Sequence, residues 1–371
     1  MRLGEGACPL GGENHLCDEA ESILSLASIG RKLRKLFTLR SLERVILLAA
    51  SLPRSMVKLA DFDRQARRAG RKLHLVILME SMGDGIAGEP VVRELADESR
   101  LLVWVVCRPY GDLVRHNPVV DGVLELTCVS EWQILDLFLR RVDRTTLLMD
   151  GVTCAWFGLR FNNPNPHGIR IGRHFLFGSL LDCYGLLAIG RRVDSRPGAH
   201  PDPAFDPLSW LKNEGPESGN GFIAFHCSAR EAERTWPAER FRQVADWVLN
   251  NTSYGIVEFG LEPILTETPL LRRLGSTLPL NRQMGLLAQA VLFVGVDSGF
   301  AHMANACHIP SVVVLGQYKG VSDQMFFSGP WRRGEGCRFV RTEGALASLS
   351  ASEVIDAVRS QLDGVGMCQW T

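Results

Sequence analysis

Short apolar runs alternate with stretches of helical spacing along most of the chain. Val291 to Val296 is a compact apolar run rich in β-branched residues, which predicts a buried strand. Asp297-Ser298-Gly299 breaks it, Phe300 to Cys307 resumes at helical spacing, Ile309-Pro310 stops that helix, and Ser311 to Leu315 reads as the next parallel strand. The turn between strand and helix presents free N–H groups and the positive end of a helix dipole, a natural seat for a phosphate.

The same alternation runs through the rest. Leu73 to Met79 reads as a strand, Glu80 to Gly85 as a turn, and Pro90 to Ala96 as a helix. Leu101 to Val106, Val123 to Leu126 and Thr146 to Met149 are further strands, with Trp132 to Arg141 and Phe175 to Ile189 helical. Prolines 197, 201, 203, 207 and 216 then mark a linker. Beyond it come strands at Phe222–Phe225 and Gly255–Phe259, helices at Ala238–Leu249 and near Met284–Ala290, and a last helix through Leu362 opened by a Ser350–Glu353 capping box. Strands that are apolar throughout indicate parallel sheets covered on both faces. The expected fold is α/β: two Rossmann-like parallel-sheet domains facing across a cleft, plus an α-helical N-terminal extension. The expected partition is 1–72, 73–195, a Pro-rich linker 196–218, 219–349, and a C-terminal helix and tail 350–371.

Charge adds one feature. The formal net charge is zero, which argues against a general nucleic-acid binder. Residues 31–72, however, hold thirteen Lys or Arg against three acids. Leu33, Phe37, Leu39, Leu42, Ile46 and Leu47 approximate an apolar face among these bases, and a second helical stretch, Met56 to Arg68, follows Pro53. Such an arm fits peripheral contact with an anionic membrane or a solvated extension packed on its own domain. Ten cysteines show no CxxC and no zinc spacing, so free thiols and no metal site are expected. With no membrane-spanning run and no signal-peptide pattern, the expected location is cytoplasmic.

Candidate chemistry sits at strand ends. Asp84, in Ser81-Met82-Gly83-Asp84, is either a base for a hydroxyl nucleophile or a turn aspartate between glycines at φ > 0. These glycines do not form a G-x-G-x-x-G loop, so no nicotinamide or flavin cofactor is expected. Ser228, Arg230 and Arg234 surround a loop that either holds a diphosphate or caps the next helix through Thr235 and Pro237. His226 and Cys227 are adjacent on a strand and point to opposite faces, which makes them a poor dyad. Asp297 suits a sugar hydroxyl or backbone amides, while Ser298, Gly299 and Phe300 face the phosphate. His302 is either a further donor or a core histidine, and Glu262 either a ribose ligand or solvated surface.

Together these stretches resemble glycosyltransferase family 9, the heptosyltransferase-like enzymes of bacterial surface polysaccharide synthesis. The similarity rests on Ser81-Met82-Gly83-Asp84 with Pro90, on Asn117-Pro118-Val119-Val120-Asp121, on Arg230 through Trp236-Pro237, and on Val294 to Gly299 with His302, Pro310 and Gly316. The resemblance implies a GT-B fold with the acceptor on the first domain and the donor on the second. It implies an inverting, metal-independent transferase with no cofactor beyond its nucleotide-sugar donor, ADP-heptose, and a lipopolysaccharide-core acceptor at the inner membrane. Asp84 would be the base, with Ser81 and Gly83 on the acceptor side. Ser228 and Arg234 would contact the diphosphate, Glu262 the nucleoside, and Asp297, Ser298, Gly299 and His302 the rest of the donor. Gly85 to Glu89 and Gln317-Tyr318 depart from the family pattern, which leaves substrate identity open. A nucleotide-sugar epimerase or a sugar-nucleotide-binding scaffold on the same fold are the alternatives.

Overall fold

The structure is a computed structural model and describes residues 39–138, 144–148, 151–154, 156–160, 165–170, 173–218, 220–229, 234–316, 327–342 and 344–368. Arg230, Met149, Asp150, Gln317, Tyr318 and the arm before Leu39 lie outside the described residues. The chain divides into a unit Met1–Leu47 and a unit Leu48–Thr371. Of the first, the described part is the opening of helix α1 (Leu39–Arg68), where Leu42, Ile46 and Leu47 are exposed.

Proline lacks the N–H that a helix interior uses, so Pro53 was expected to separate two helices. Instead α1 runs through it. A buried stripe at helical spacing, Ser51, Ser55, Leu59, Phe62 and Ala66, carries the helix across the sheet of the first half.

That sheet is parallel, ordered β3-β2-β1-β4, from β1 (Lys72–Ile77), β2 (Arg100–Cys107), β3 (Gly122–Leu126) and β4 (Arg144–Leu147). Residues alternate between its faces. Leu73, Leu75 and Ile77 of β1, with Leu101, Val103 and Val105 of β2, pack under α1. Val76, Leu102, Trp104 and Val106 pack on the other face, under α2 (Met82–Leu95) and α5 (Leu180–Ile189). The short α3 (Gly111–Val114) and α4 (Val129–Phe138) complete the connections. Asp121 ends the Asn117–Asp121 segment by accepting from the Leu102 amide at 2.8 Å and from Arg71 at 2.7 Å, which ties the turn to two strands.

The expected turn at Glu80–Gly85 is corrected: α2 begins at Met82, well before Pro90. Ser81 and Asp84 close a capping box, and neither Gly83 nor Gly85 has a positive φ. The reading of Asp84 as a turn aspartate between left-handed glycines therefore does not hold.

The second half is a six-stranded parallel sheet, ordered β10-β9-β8-β5-β6-β7. Its strands are β5 (Phe222–His226), β6 (Gly255–Phe259), β7 (Leu271–Gly275), β8 (Leu292–Val296), β9 (Ser311–Leu315) and β10 (Cys337–Arg341). α7 (Ala238–Asn251) and α10 (Ala351–Cys368) cover one face, while α8 (Leu280–Leu287) and α9 (Gly299–Ala306) cover the other. β7 and β10 escape an apolar-run reading because they are edge strands bearing Arg272, Arg273, Arg338 and Arg341. The proline-rich stretch also contains a helix, α6 (Pro207–Glu214), started by Asp206, which accepts from the amides of Leu208 and Ser209.

Phe62→Ala tests whether the later part of α1 belongs to this core. The ring is 7% exposed, and a Cβ on Gly122 would meet it at 2.3 Å. Urea unfolding should show a loss of about 3 kcal/mol. A loss below about 1 kcal/mol would mean that α1 is only laid on the sheet.

Candidate active site

Two helices start directly after central strands, α2 after β1 and α9 after β8, and their N-termini meet. A Cβ on Gly83 would lie 2.8 Å from His302 Cδ2, and one on Gly299 would lie 2.3 Å from Met82 Cε. Both distances are shorter than real Cβ contacts, so a side chain at Gly83 would press on the His302 ring, and one at Gly299 would require the flexible Met82 chain to move. The meeting brings Ser81, Gly83 and Asp84 together with Ser298, Gly299 and His302.

Asp84 stands at the third position of α2. Its Oδ2 accepts from the Ser81 amide at 3.1 Å and from the Ser81 hydroxyl, and its Oδ1 accepts from the Tyr184 hydroxyl at 2.8 Å. Ser298 is the N-cap of α9, accepting from the Ala301 amide at 3.4 Å. Asp297 pairs with Arg234 at 3.1 Å, both largely shielded from solvent. Such a pair is a charge-assisted hydrogen bond that fixes the guanidinium in place.

His302 is buried and stacks on Phe327 at 4.7 Å between ring centroids, and its Nδ1 has no hydrogen-bond partner among the described residues. Burial holds its pKa below the usual value, against the charges of Asp297 and Asp84, while Arg234 adds to the lowering. Asp84, Asp297 and Arg234 thus all act on one neutral imidazole. Ser228 is half-buried at the end of β5, and a Cβ on Gly260 would lie 3.8 Å from its hydroxyl. Glu262 is exposed, on a loop held by buried Glu258, which accepts from the amides of Ile264 and Leu265. Ser228 and Glu262 therefore stand at neighbouring strand ends of the second half. Burial pushes the Cys227 thiol well up and His226 down to about 4, which leaves no thiolate–imidazolium pair. Among the described residues no group of three or more His, Cys, Asp or Glu could hold a metal ion.

Two site residues give little sequence signal. Tyr184 lies in a helix that is apolar beyond its first turn and reads as core. Glu80 follows β1 as an ordinary strand-end charge. Its Oε1 is buried without a partner among the described residues, and its carboxyl is raised to about 8, first by burial and then by the Asp84 charge. It carries its proton at neutral pH.

Residues 199–353 match the model of glycosyltransferase family 9 (heptosyltransferase). The matched stretch lies in the second half of the chain. It contains Ser228, Arg234, Glu262 and Asp297 to His302, whereas Asp84 lies outside it. Solved structures extend the fold likeness across both halves. The E. coli ADP-heptose lipopolysaccharide heptosyltransferase II is 18% identical, covering 81% of this chain and 100% of that one at a TM-score of 0.60. A family 9 glycosyl transferase from Veillonella parvula DSM 2008 is 16% identical, covering 78% and 97% at 0.58. The E. coli heptosyltransferase WaaC with ADP is 15% identical, covering 78% and 99% at 0.52. The two parallel sheets are therefore those of a GT-B fold. No curated protein sequence matches the chain.

Glu80 makes stability depend on pH. The native state keeps a proton on a group that the unfolded chain releases near its ordinary value of 4.5. The contribution of the protonated form is complete below that value and is lost as pH rises toward about 8. Glu80→Gln removes this loss. In urea unfolding the variant should gain about 4 kcal/mol over wild type at pH 8 and almost nothing near pH 4. Equal differences at both pH values would show that Glu80 ionises freely in the native state.

Proposed function

We propose that the chain is an inverting, metal-independent glycosyltransferase that moves heptose from ADP-heptose onto a hydroxyl of a bacterial surface glycan, such as a lipopolysaccharide core. The observation that carries this reading is the meeting of α2 and α9, which sets Asp84 opposite His302 and beside the Arg234–Asp297 pair of the stretch that matches family 9. The choice of donor rests on structures of similar fold, among them E. coli WaaC with ADP and with ADP-2-deoxy-2-fluoro heptose.

In this mechanism the half spanning 73–195 takes the acceptor, with Ser81 and Gly83 beside it. The half spanning 219–349 takes the donor, and 196–218 joins them. Asp84 removes the proton from the acceptor hydroxyl. The oxygen attacks the anomeric carbon on the face opposite the nucleotide, and the bond to the diphosphate breaks with its electrons leaving on oxygen. Stereochemistry inverts in one displacement. Negative charge grows on the diphosphate, where Arg234, Ser228 and the first amides of α9 stabilise it. Asp297 aims the guanidinium, His302 lines the donor side as a neutral group, and Glu262 meets the ribose. Met82 covers Gly299, so its flexible thioether chain swings aside as the donor enters. The basic stretch 31–72 attracts an anionic membrane face and places the enzyme near a glycolipid acceptor. Among the described residues no helix is long and apolar enough to cross a membrane.

Asp84→Asn should lower heptose transfer by about 10³-fold while ADP-heptose affinity stays within about twofold. Radiolabel transfer and calorimetry measure the two. Transfer at a near wild-type rate would remove Asp84 from the role of base. Incubation with donor alone should leave the nucleotide sugar intact, whereas an epimerase would alter it.

A further inference from the structure

Asp84 is tied from two sides, and the ties differ in kind. Ser81 belongs to the same helix end. Tyr184 comes from α5, a hundred residues away in sequence. α5 is itself anchored. Ser179 and Asp182 close a capping box at its start, and buried Asp182 pairs with Arg332 of the other half at 2.8 Å. The Tyr184 ring is fully buried and lies against α2 at Gly88, where a Cβ would stand 3.5 Å from ring Cδ2. Packing alone would be met by phenylalanine. The hydroxyl is what a core position does not need, and it donates to a carboxylate, the stronger class of hydrogen bond. Burial, reinforced by the Asp84 charge, pushes the phenol well above its ordinary value, so it stays a donor.

We propose that Tyr184 is a positioning residue for Asp84: by donating to Oδ1 it fixes the carboxylate and leaves Oδ2 as the oxygen that takes the acceptor proton. This rests on the reading of Asp84 as the base. The acceptor O–H bond breaks, the proton passes to Oδ2, and the Ser81 hydroxyl turns away as it arrives. Nothing is transferred to or from Tyr184. A donor on Oδ1 holds the carboxylate and removes its freedom to rotate.

The test measures transfer from radiolabelled ADP-heptose to heptose-deficient lipopolysaccharide core between pH 5 and 9. Tyr184→Phe keeps the ring and removes the donor. Its kcat should fall about tenfold, with the KM for ADP-heptose within about twofold, and the acid limb of kcat/KM should rise by about one pH unit. Uniform 3-fluorotyrosine labelling of the four tyrosines keeps the fold and strengthens the donor, so the limb should move the other way. A limb that stays in place in both proteins overturns the inference. Asp84→Asn, assayed beside them, separates the two failures. If it is inactive while the Tyr184→Phe profile matches wild type, only the role of Tyr184 falls. If it transfers at the wild-type rate, or if wild type transfers nothing, the base reading falls and this role with it.

Discussion

Two helix N-termini meet head to head at Gly83 and Gly299, and the arrangement of the rest follows from that contact. Each helix presents unpaired amides and a partial positive charge at this end. Bringing two such ends together is unfavourable unless negative charge lies near them. Asp84 on one side and Asp297 on the other supply it. Apolar packing holds the helices in place despite the cost: one continuous core includes Ile86 and Val91 of α2, Phe300 and Met303 of α9, and residues from both sheets. A substrate that brings a diphosphate to this point completes a charge balance the protein leaves partly open.

Burial then decides which groups carry charge around the contact. His302 is neutral because its ring is buried, even with two aspartates acting on it. Glu80 is neutral because one oxygen is enclosed without a partner and Asp84 adds repulsion. Arg234 is held by Asp297. Among the described residues the site therefore presents an anchored cation, Arg234, and carboxylates of differing burial, and it keeps the imidazole uncharged at neutral pH.

Much of this was legible in the chain. Runs such as Leu101 to Val106 and Val291 to Val296 are apolar at every position, and both are strands of parallel sheets buried on two faces. The Ser350–Glu353 capping box opens a helix, as its spacing predicts. The failures have local causes. Charges on edge strands hid β7 and β10. Prolines hid α6 although Asp206-Pro207 is a good helix start. Two glycines made the start of α2 look like a turn, when neither has a left-handed backbone and Gly83 instead permits the close approach of His302. At the site, strand-end position singled out Asp84, Arg234 and Asp297 as candidates. Tyr184 left no mark because its partner lies a hundred residues away, and nothing local distinguishes it from a core aromatic.

The account stands or falls on whether the junction of α2 and α9 receives a sugar nucleotide. Calorimetric titration of the purified protein with ADP-heptose, beside GDP- and UDP-sugars, measures this directly. The account predicts saturable binding of ADP-heptose that weakens at least tenfold when Arg234 is replaced by alanine, since one charge-assisted bond of about 1.5 kcal/mol or more is lost. Absence of binding by every sugar nucleotide, or binding that Arg234→Ala leaves unchanged, would contradict it.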